Sequence, residues 1–386
     1  MNTNKLLRHI NAVRSLRLLS RGQVMSRAEI ARELGLTRPT IGYAIAALAE
    51  DGLVVESAEA TADGRKGRPG IGVQLNPAGA YFVGIDIGTK VVTTVLVDLA
   101  MTVVSRKVEP TGPNFRDLEP LIERLLPTAR EVVCGSGIDA TRVGGIGVSV
   151  PGIVGRAGQV VNAPFLEWRD YPLRERLVRS CPEEWPIIVC NDAFALANAE
   201  RAALTEVESR DLFLMLLAEG IGGAIVDDGR VFGGAHGYAG EIGHTRIAIG
   251  DRAAPFETLA GAKAFSEFLA PNQAVSEGVA MLLARQGDPA VAGALDRWGE
   301  AMSVGLANLI HLLDPGRVIL GGPIADLHPT RDAHINRRLK DLLLPGFSLP
   351  EISVASSGAD GAAIGAAATI REQMFVLPDL DPSPSA

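Results

Sequence analysis

Tyr81–Met101, YFVGIDIGTKVVTTVLVDLAM, and Leu212–Val231, LFLMLLAEGIGGAIVDDGRV, read as two copies of one pattern. Each holds an apolar run, a turn containing an acid and glycine, and a second β-rich run ending in an acid, which predicts two strands around a tight turn. Glycine in such a turn lets backbone N–H groups approach an anion. The copies lie about 130 residues apart in a sequence that otherwise alternates strand and helix patterns. That repetition predicts an α/β body of two duplicated lobes facing each other across a cleft.

A chain of 386 residues is long for a single ordinary domain, and its 47% apolar but only 5% aromatic composition supplies an ample aliphatic core. No window offers about 18 uncharged apolar residues, and Arg8, His9, Arg14 and Arg17 fall where a signal peptide needs an apolar stretch, so a cytosolic protein with no membrane partner is expected. Cys134, Cys181 and Cys190 lack metal-like spacing and are expected to be buried thiols. The net charge of −8 is uneven: residues 1–80 hold 11 Lys and Arg against 7 Asp and Glu, whereas the rest of the chain is strongly acidic. A basic module on an acidic body follows.

Within that module, residues 26–52 contain two helix patterns around a short turn. Ser26 and Glu29 have the spacing of a reciprocal cap, Ile30, Ala31 and Leu34 form the first apolar stripe, and Gly35 ends the helix. Thr37 caps the second helix, in which Ile41, Ala44, Ile45 and Leu48 recur at helical spacing. Arg38, Thr40, Gly42, Tyr43 and Ala47 are left nearer its outer face. Leu53–Val55 and Ile71–Leu75 can pair as strands around a cationic loop carrying Arg65, Lys66 and Arg68. Helix, turn, capped helix and basic wing together match a winged helix-turn-helix, with double-stranded DNA as the partner and Arg38, Thr40, Tyr43, Arg65, Lys66 and Arg68 as contact candidates. The amphipathic stretch Leu6–Leu19 is expected to pack on this domain.

Further motifs are GIDIGTK (Gly84–Lys90), GVSVPGIVG (Gly147–Gly155), Asn191-Asp192, GYAGEIGH (Gly237–His244) and ILGGPIA (Ile319–Ala325). On these the chain resembles the ROK family of repressors, open reading frames and kinases, specifically its winged-helix sugar-responsive repressors, over about residues 10–372. The resemblance implies an actin-like, sugar-kinase fold. It places the Asp86, Gly88, Thr89 turn and the Gly220–Gly223 turn where family kinases hold nucleotide phosphates. It also implies that Asn191 and Asp192 bind sugar hydroxyls, with Asp192 in the position of the kinase base, and that Glu241, His244 and Glu257 contact the ring near its anomeric end. Read as residue types alone, these side chains suit directional bonds to sugar hydroxyls, but equally suit helix caps and loop braces.

Several departures from the family pattern argue against catalysis. The first turn has only Gly88 where two glycines are usual. The second reads Ala218-Glu219-Gly220 where Gly-Thr-Gly is usual, putting a carboxylate where a hydroxyl would donate to phosphate. One like charge at about 4 Å costs ~4 kcal/mol at an effective dielectric near 20. ATP is therefore expected not to bind, and Asp314–Gly316 with Gly321-Gly322 to persist as a relic adenosine loop. The stretch Ile247–Gly261 lacks the three cysteines with which the family often completes a zinc site beside a histidine, so no zinc is expected and Pro255 and Phe256 are expected to hold the loop. Phe165 stands where an asparagine often contacts the sugar.

The sequence thus predicts a winged helix over about 1–78, lobe one over 79–200, lobe two over 201–355, a helix at 358–371 returning to lobe one, and a disordered tail at 378–386. The implied function is a transcriptional repressor of carbohydrate genes, acting as a homodimer or pair of dimers on a palindromic operator and controlled by a sugar without zinc or ATP. A sugar kinase with a DNA-binding appendage and a ligand-free architectural DNA binder are the alternatives.

Overall fold

The structure, a computed structural model, describes residues 3–20, 22–57, 71–112, 118–181, 185–205, 207–270 and 273–375. The chain opens with helix α1 (Thr3–Leu19), strand β1 (Met25–Ser26), helices α2 (Arg27–Leu34) and α3 (Arg38–Glu50), and strands β2 (Val54–Ser57) and β3 (Gly72–Leu75). Ser26 accepts from the Glu29 N–H while the Glu29 side chain accepts from the Ser26 N–H, and Gly35 closes α2 at φ 66°. Thr37 caps α3. Ile41, Ala44, Ile45 and Leu48 turn inward against α1 and α2. The wing strands are paired as β1-β3-β2. The cationic loop with Arg65, Lys66 and Arg68 lies outside the described residues, as does the tail at 378–386.

Lobe one follows: β4 (Tyr81–Ile87), β5 (Val91–Asp98), β6 (Val103–Pro110), α4 (Leu118–Gly135), β7 (Val143–Val150), three short strands β8 (Ile153–Val154), β9 (Val160–Ala163) and β10 (Trp168–Tyr171), then α5 (Leu173–Arg179), β11 (Ile187–Asn191) and α6 (Asp192–Ala203). Lobe two contains β12 (Leu212–Leu217), β13 (Ile221–Asp227), β14 (Arg230–Phe232), a hairpin β15 (Arg246–Ile249) and β16 (Arg252–Pro255), α7 (Phe256–Ala260), α8 (Val275–Ala284), α9 (Pro289–Leu313), β17 (Arg317–Gly321), α10 (Asp332–Leu342) and β18 (Glu351–Val354). Helix α11 (Gly361–Glu372) ends the fold.

The two large sheets have the same plan. Sheet one runs β11-β7-β4-β5-β6 and sheet two runs β18-β17-β12-β13-β14. In each, three antiparallel strands are followed by two that lie parallel to the first. This shared order is the duplication that the two quoted stretches announce. Between the sheets lie α6 and α11. Ala193, Leu196 and Ala197 of α6 cover sheet two, while Ala363, Ala367 and Ile370 of α11 cover sheet one. Small residues permit the close stack: a methyl on Gly84, Gly147 or Gly365 would run into the backbone of Ala363, Ala366 or Ala195 respectively.

The winged helix is joined to lobe one by a common core. Val13, Leu16 and Leu19 of α1 belong to one buried cluster with Phe82, Val95 and Val97 of sheet one and with Ile370 and Phe375 at the chain's described end. The connecting backbone is pinned as well, with Asn76 Nδ2 donating to the Gly52 carbonyl at 2.6 Å and the Leu99 N–H to that of Pro77 at 2.9 Å. Two expectations are corrected. Cys134 is exposed because it falls on the outer side of α4. Asp314–Gly316 is no part of an adenosine loop: it precedes β17 beside Asp211, at the opposite end of the sheet from Gly321 and the Ala218–Gly220 turn.

Candidate functional site

Parallel strands direct their carboxyl ends to one edge, and open α/β sheets bind ligands there. Asp86 at the end of β4 and Ser149 at the end of β7 are register partners, and β11 ends beside them at Asn191. The Ser149 hydroxyl donates to Asp86 Oδ1 at 2.7 Å. Burial nevertheless pushes the Asp86 carboxyl up to about 6. On the facing edge of lobe two stand the Ala218–Gly220 turn and Gly321-Gly322.

Asn191 and Asp192 divide the labour at the strand-to-helix corner. Asn191 Oδ1 accepts from the Ala193 and Phe194 N–H groups at 2.8 and 3.2 Å, and its Nδ2 donates to the Gly152 carbonyl at 2.8 Å. The cap of α6 is thus Asn191, and its amide is largely committed to the fold. Asp192, the first residue of the helix, accepts only from the adjacent Ala193 N–H. Burial, then the charge of Asp86, then those of Glu241 and Glu219 push its carboxyl up to about 8, against the pull of the Ala193 bond. At neutral pH Asp192 therefore carries a proton that it can donate to a hydroxyl. Beneath it, burial pushes the Cys190 thiol up to about 12, which makes it inert.

Glu241 is delivered by glycine packing. Gly240, at φ 100°, and Gly243 lie so close to β13 that a methyl on either would strike the carbonyl of Gly223 or Ile221. The loop has no other way to reach this depth. His244 stands 3.7 Å from both Glu241 and Glu257, and burial raises the Glu241 carboxyl above its ordinary range. Phe165 comes from lobe one to meet them: a methyl on Gly220 would lie 2.8 Å from Glu257 Oε2 and 3.2 Å from the Phe165 ring. The structure thus brings Asp86, Asp192, Glu219, Glu241, His244, Glu257 and Phe165 to one cleft, while Asn191 supports it from behind.

The phosphate turns are bridged to each other. Thr89 Oγ1 on the first donates to Glu219 Oε1 on the second at 2.8 Å. The Glu219 side chain thus lies between the two turns. The zinc motif is likewise unmatched. His244 is flanked by carboxylates alone, and among the described residues no three His, Cys, Asp or Glu side chains are placed to share a metal ion. The loop over Ile247–Gly261 is held instead by the β15–β16 pairing and by the fully buried Phe256, whose ring fills the space left by Gly305 of α9.

In the winged helix, Arg38 is exposed, Thr40 is half-buried with its hydroxyl 2.8 Å from that of Thr37, and Tyr43 is 66% exposed. The Arg8 guanidinium lies 5.4 Å from the Tyr43 ring centre. A flat aromatic held by a cation on an otherwise open helix face suits contact with a base edge or a thymine methyl. The single-sequence reading did not find this Arg8 partner, nor the Thr89–Glu219 bond, which spans 130 residues; the sequence signal for the latter was Glu219 itself.

The signature of a winged helix-turn-helix DNA-binding domain matches residues 16–55, and that of the ROK family matches residues 82–373. A xylose repressor of Caldicellulosiruptor bescii is 27% identical over 83% of this chain and 85% of its own length. A glucokinase of Pyrobaculum calidifontis is 30% identical over 75% of this chain and 94% of its own. Among solved structures, a ROK family transcriptional regulator described as a homolog of the Escherichia coli MLC protein superposes with a TM-score of 0.75 at 22% identity, over 96% of this chain and 97% of that one. With a DNA-binding module at its front and the paired lobes and glycine-set loop behind, the chain belongs to the ROK family.

Proposed function

We propose that this chain is a DNA-binding transcriptional repressor whose operator affinity is set by a sugar held between the two lobes. The observation that carries this reading is the combination of a winged helix sharing its core with lobe one and a cleft where Asp192, Glu241, His244 and Glu257 stand together while Glu219 bonds Thr89 across the two turns. The repressor relative supports a carbohydrate effector. Two recognition helices are needed to read a two-fold symmetric operator, so the working form is a homodimer or pair of dimers. The protein works without zinc or ATP.

Coupling follows from the layers. Asp192 is the first residue of α6, α6 packs on sheet two and on α11, and α11 leads to Phe375, whose carbonyl accepts from Arg17 of α1 at 2.9 Å. A sugar that draws the lobes together shifts α6 against α11, a sliding of packed helices, and so biases the pose of the winged helix. The test is a thermal-shift panel of pentoses, hexoses and amino sugars, each with and without Mg-ATP, followed by titration of the stabilising sugar against a fluorescent operator. A sugar that raises the melting temperature and changes operator affinity is expected. Phosphoryl transfer to that sugar would instead favour the kinase reading, to which Asp192 would then contribute its base.

A further inference from the structure

Arg17 of α1, Arg201 at the end of α6 and Arg371 at the end of α11 meet where the winged helix joins the body. Phe375 links two of them: Arg17 Nη2 donates to its carbonyl, and the Arg371 guanidinium lies 5.5 Å from its ring centre. Arg371 is only 6% exposed, and its Nη1 donates to the Leu99 carbonyl at 3.1 Å. Arg201 Nη1 donates to Asn198 Oδ1 at 2.6 Å. The Nε–H groups of both are shielded from water and have no hydrogen-bond partner among the described residues. Two buried guanidinium donors left unpaired are costly, and proteins seldom leave them so without a ligand.

The surrounding charge is unevenly matched. Glu372 stands 4.0 Å from Arg371 Nη2, and Asp98 also acts on Arg371, but neither carboxylate bonds to an Nε–H. Burial is the largest influence on Arg201 and Arg371, Glu372 then raises the proton affinity of both, and the arginines oppose one another more weakly, Arg17 acting on Arg201 and Arg201 on Arg371. Resting on the repressor reading only for its consequence, we infer that Arg17, Arg201 and Arg371 form a second ligand site, for a small phosphate-type oxyanion, at the seam of the winged helix and the body. Planar guanidinium forks suit such an anion, and one anion here would tie α1, α6 and α11 together. It would thereby hold the DNA-binding domain in one pose, independently of the sugar cleft.

The test uses the full chain without DNA and inorganic phosphate as the probe, against chloride at matched ionic strength. Phosphate should raise the melting temperature saturably, and Arg201→Gln and Arg17→Gln should each weaken the half-saturating phosphate concentration by about tenfold, the loss of one charge-assisted bond. Arg17 is exposed, so its variant remains folded even if Arg371→Gln does not. In a second arm, phosphate should change operator affinity in the wild type and not in Arg201→Gln, at constant ionic strength. A phosphate response that is absent, non-saturable or identical in both variants overturns the site. A response that appears only with DNA present and is carried by Arg17 alone places that arginine on the DNA backbone and likewise overturns it. Failure of every sugar in the panel would sink the repressor reading while leaving the phosphate result standing.

Discussion

Asp192 is stabilised in its neutral form, and this gives the cleft a pH signature. Its carboxyl, at about 3.8 in the unfolded chain, is pushed up to about 8 in the fold. The side chain's favourable contribution is therefore whole below about pH 4 and is lost as pH rises towards 8. Asp192→Asn fixes the neutral form, so its melting temperature should exceed that of the wild type by a margin that grows from pH 5 to pH 8. The same variant, and Glu241→Gln, should keep operator affinity without sugar within about 1 kcal/mol and abolish most of the sugar response. A brace would behave in the opposite way, melting earlier at every pH with the response intact. Glu219 makes a separate prediction: Ala218→Gly with Glu219→Thr restores the family's turn and should give Mg-ATP-dependent stabilisation greater than that of the wild type. If the double variant still ignores nucleotide, Glu219 is not the barrier.

The residues proposed for this site were marked in the sequence by the family resemblance, since taken alone their types suit helix caps and loop braces. Asn191 and Asp192 are adjacent, yet one caps and the other is presented, and that division depends on where the helix starts to within one residue. Contacts such as Thr89 with Glu219, or the approach of Phe165 to Gly220, arise only when the lobes meet, and no local pattern encodes them.

Among elements, α11 is the most tightly specified. GAAIGAAATIRE reads as a weak amphipathic helix, and the reason for its small residues appears only in three dimensions, where the backbone of α6 at Ala195 leaves no room for a β-carbon at Gly365. Gly365→Ala should cost about 1–3 kcal/mol by overpacking and lower the melting temperature accordingly. Because that contact also transmits motion from α6, the variant's sugar response should fall even where it remains folded, which operator titration at low temperature can establish. The winged helix is the converse case. Its caps, turn and apolar stripe are all local, and so its outline was read directly from residues 26–57. For its basic loop, Arg65→Ala with Arg68→Ala should weaken specific and non-specific DNA binding together and flatten the slope of log affinity against log salt by up to about two units. Tyr43→Ala should act on sequence preference and leave that slope nearly unchanged.

At the scale of the molecule, the core shared by α1, sheet one and α11 makes the DNA-binding module part of the body. A fragment ending near residue 78 would expose the apolar face that Phe82, Val95, Ile370 and Phe375 cover. It should therefore show less helix by circular dichroism than the same residues contribute to the whole chain. In the full protein, the winged helix and lobe one should melt together, measurable as coincident loss of operator binding and of far-ultraviolet signal. Separate transitions would show that the seam is too weak to carry a signal. The sequence announced the duplication and a basic module on an acidic body, but not how the two are joined. The welded seam was hidden because its residues are scattered from Val13 to Phe375.

The bond from Thr89 to Glu219 bears on time as well as on affinity. A kinase cleft that grips its nucleotide must let go in every cycle, and its pace is often set by reopening. Here the group that spans the two turns is part of the chain and is never released. Its effective concentration is fixed by the fold and does not fall when the cell's energy charge falls. On the repressor reading, a cleft half drawn together by its own side chain would hold a sugar through a long residence. What such a cleft delivers is dwell time, so the state of the operator would outlast brief fluctuations in sugar supply.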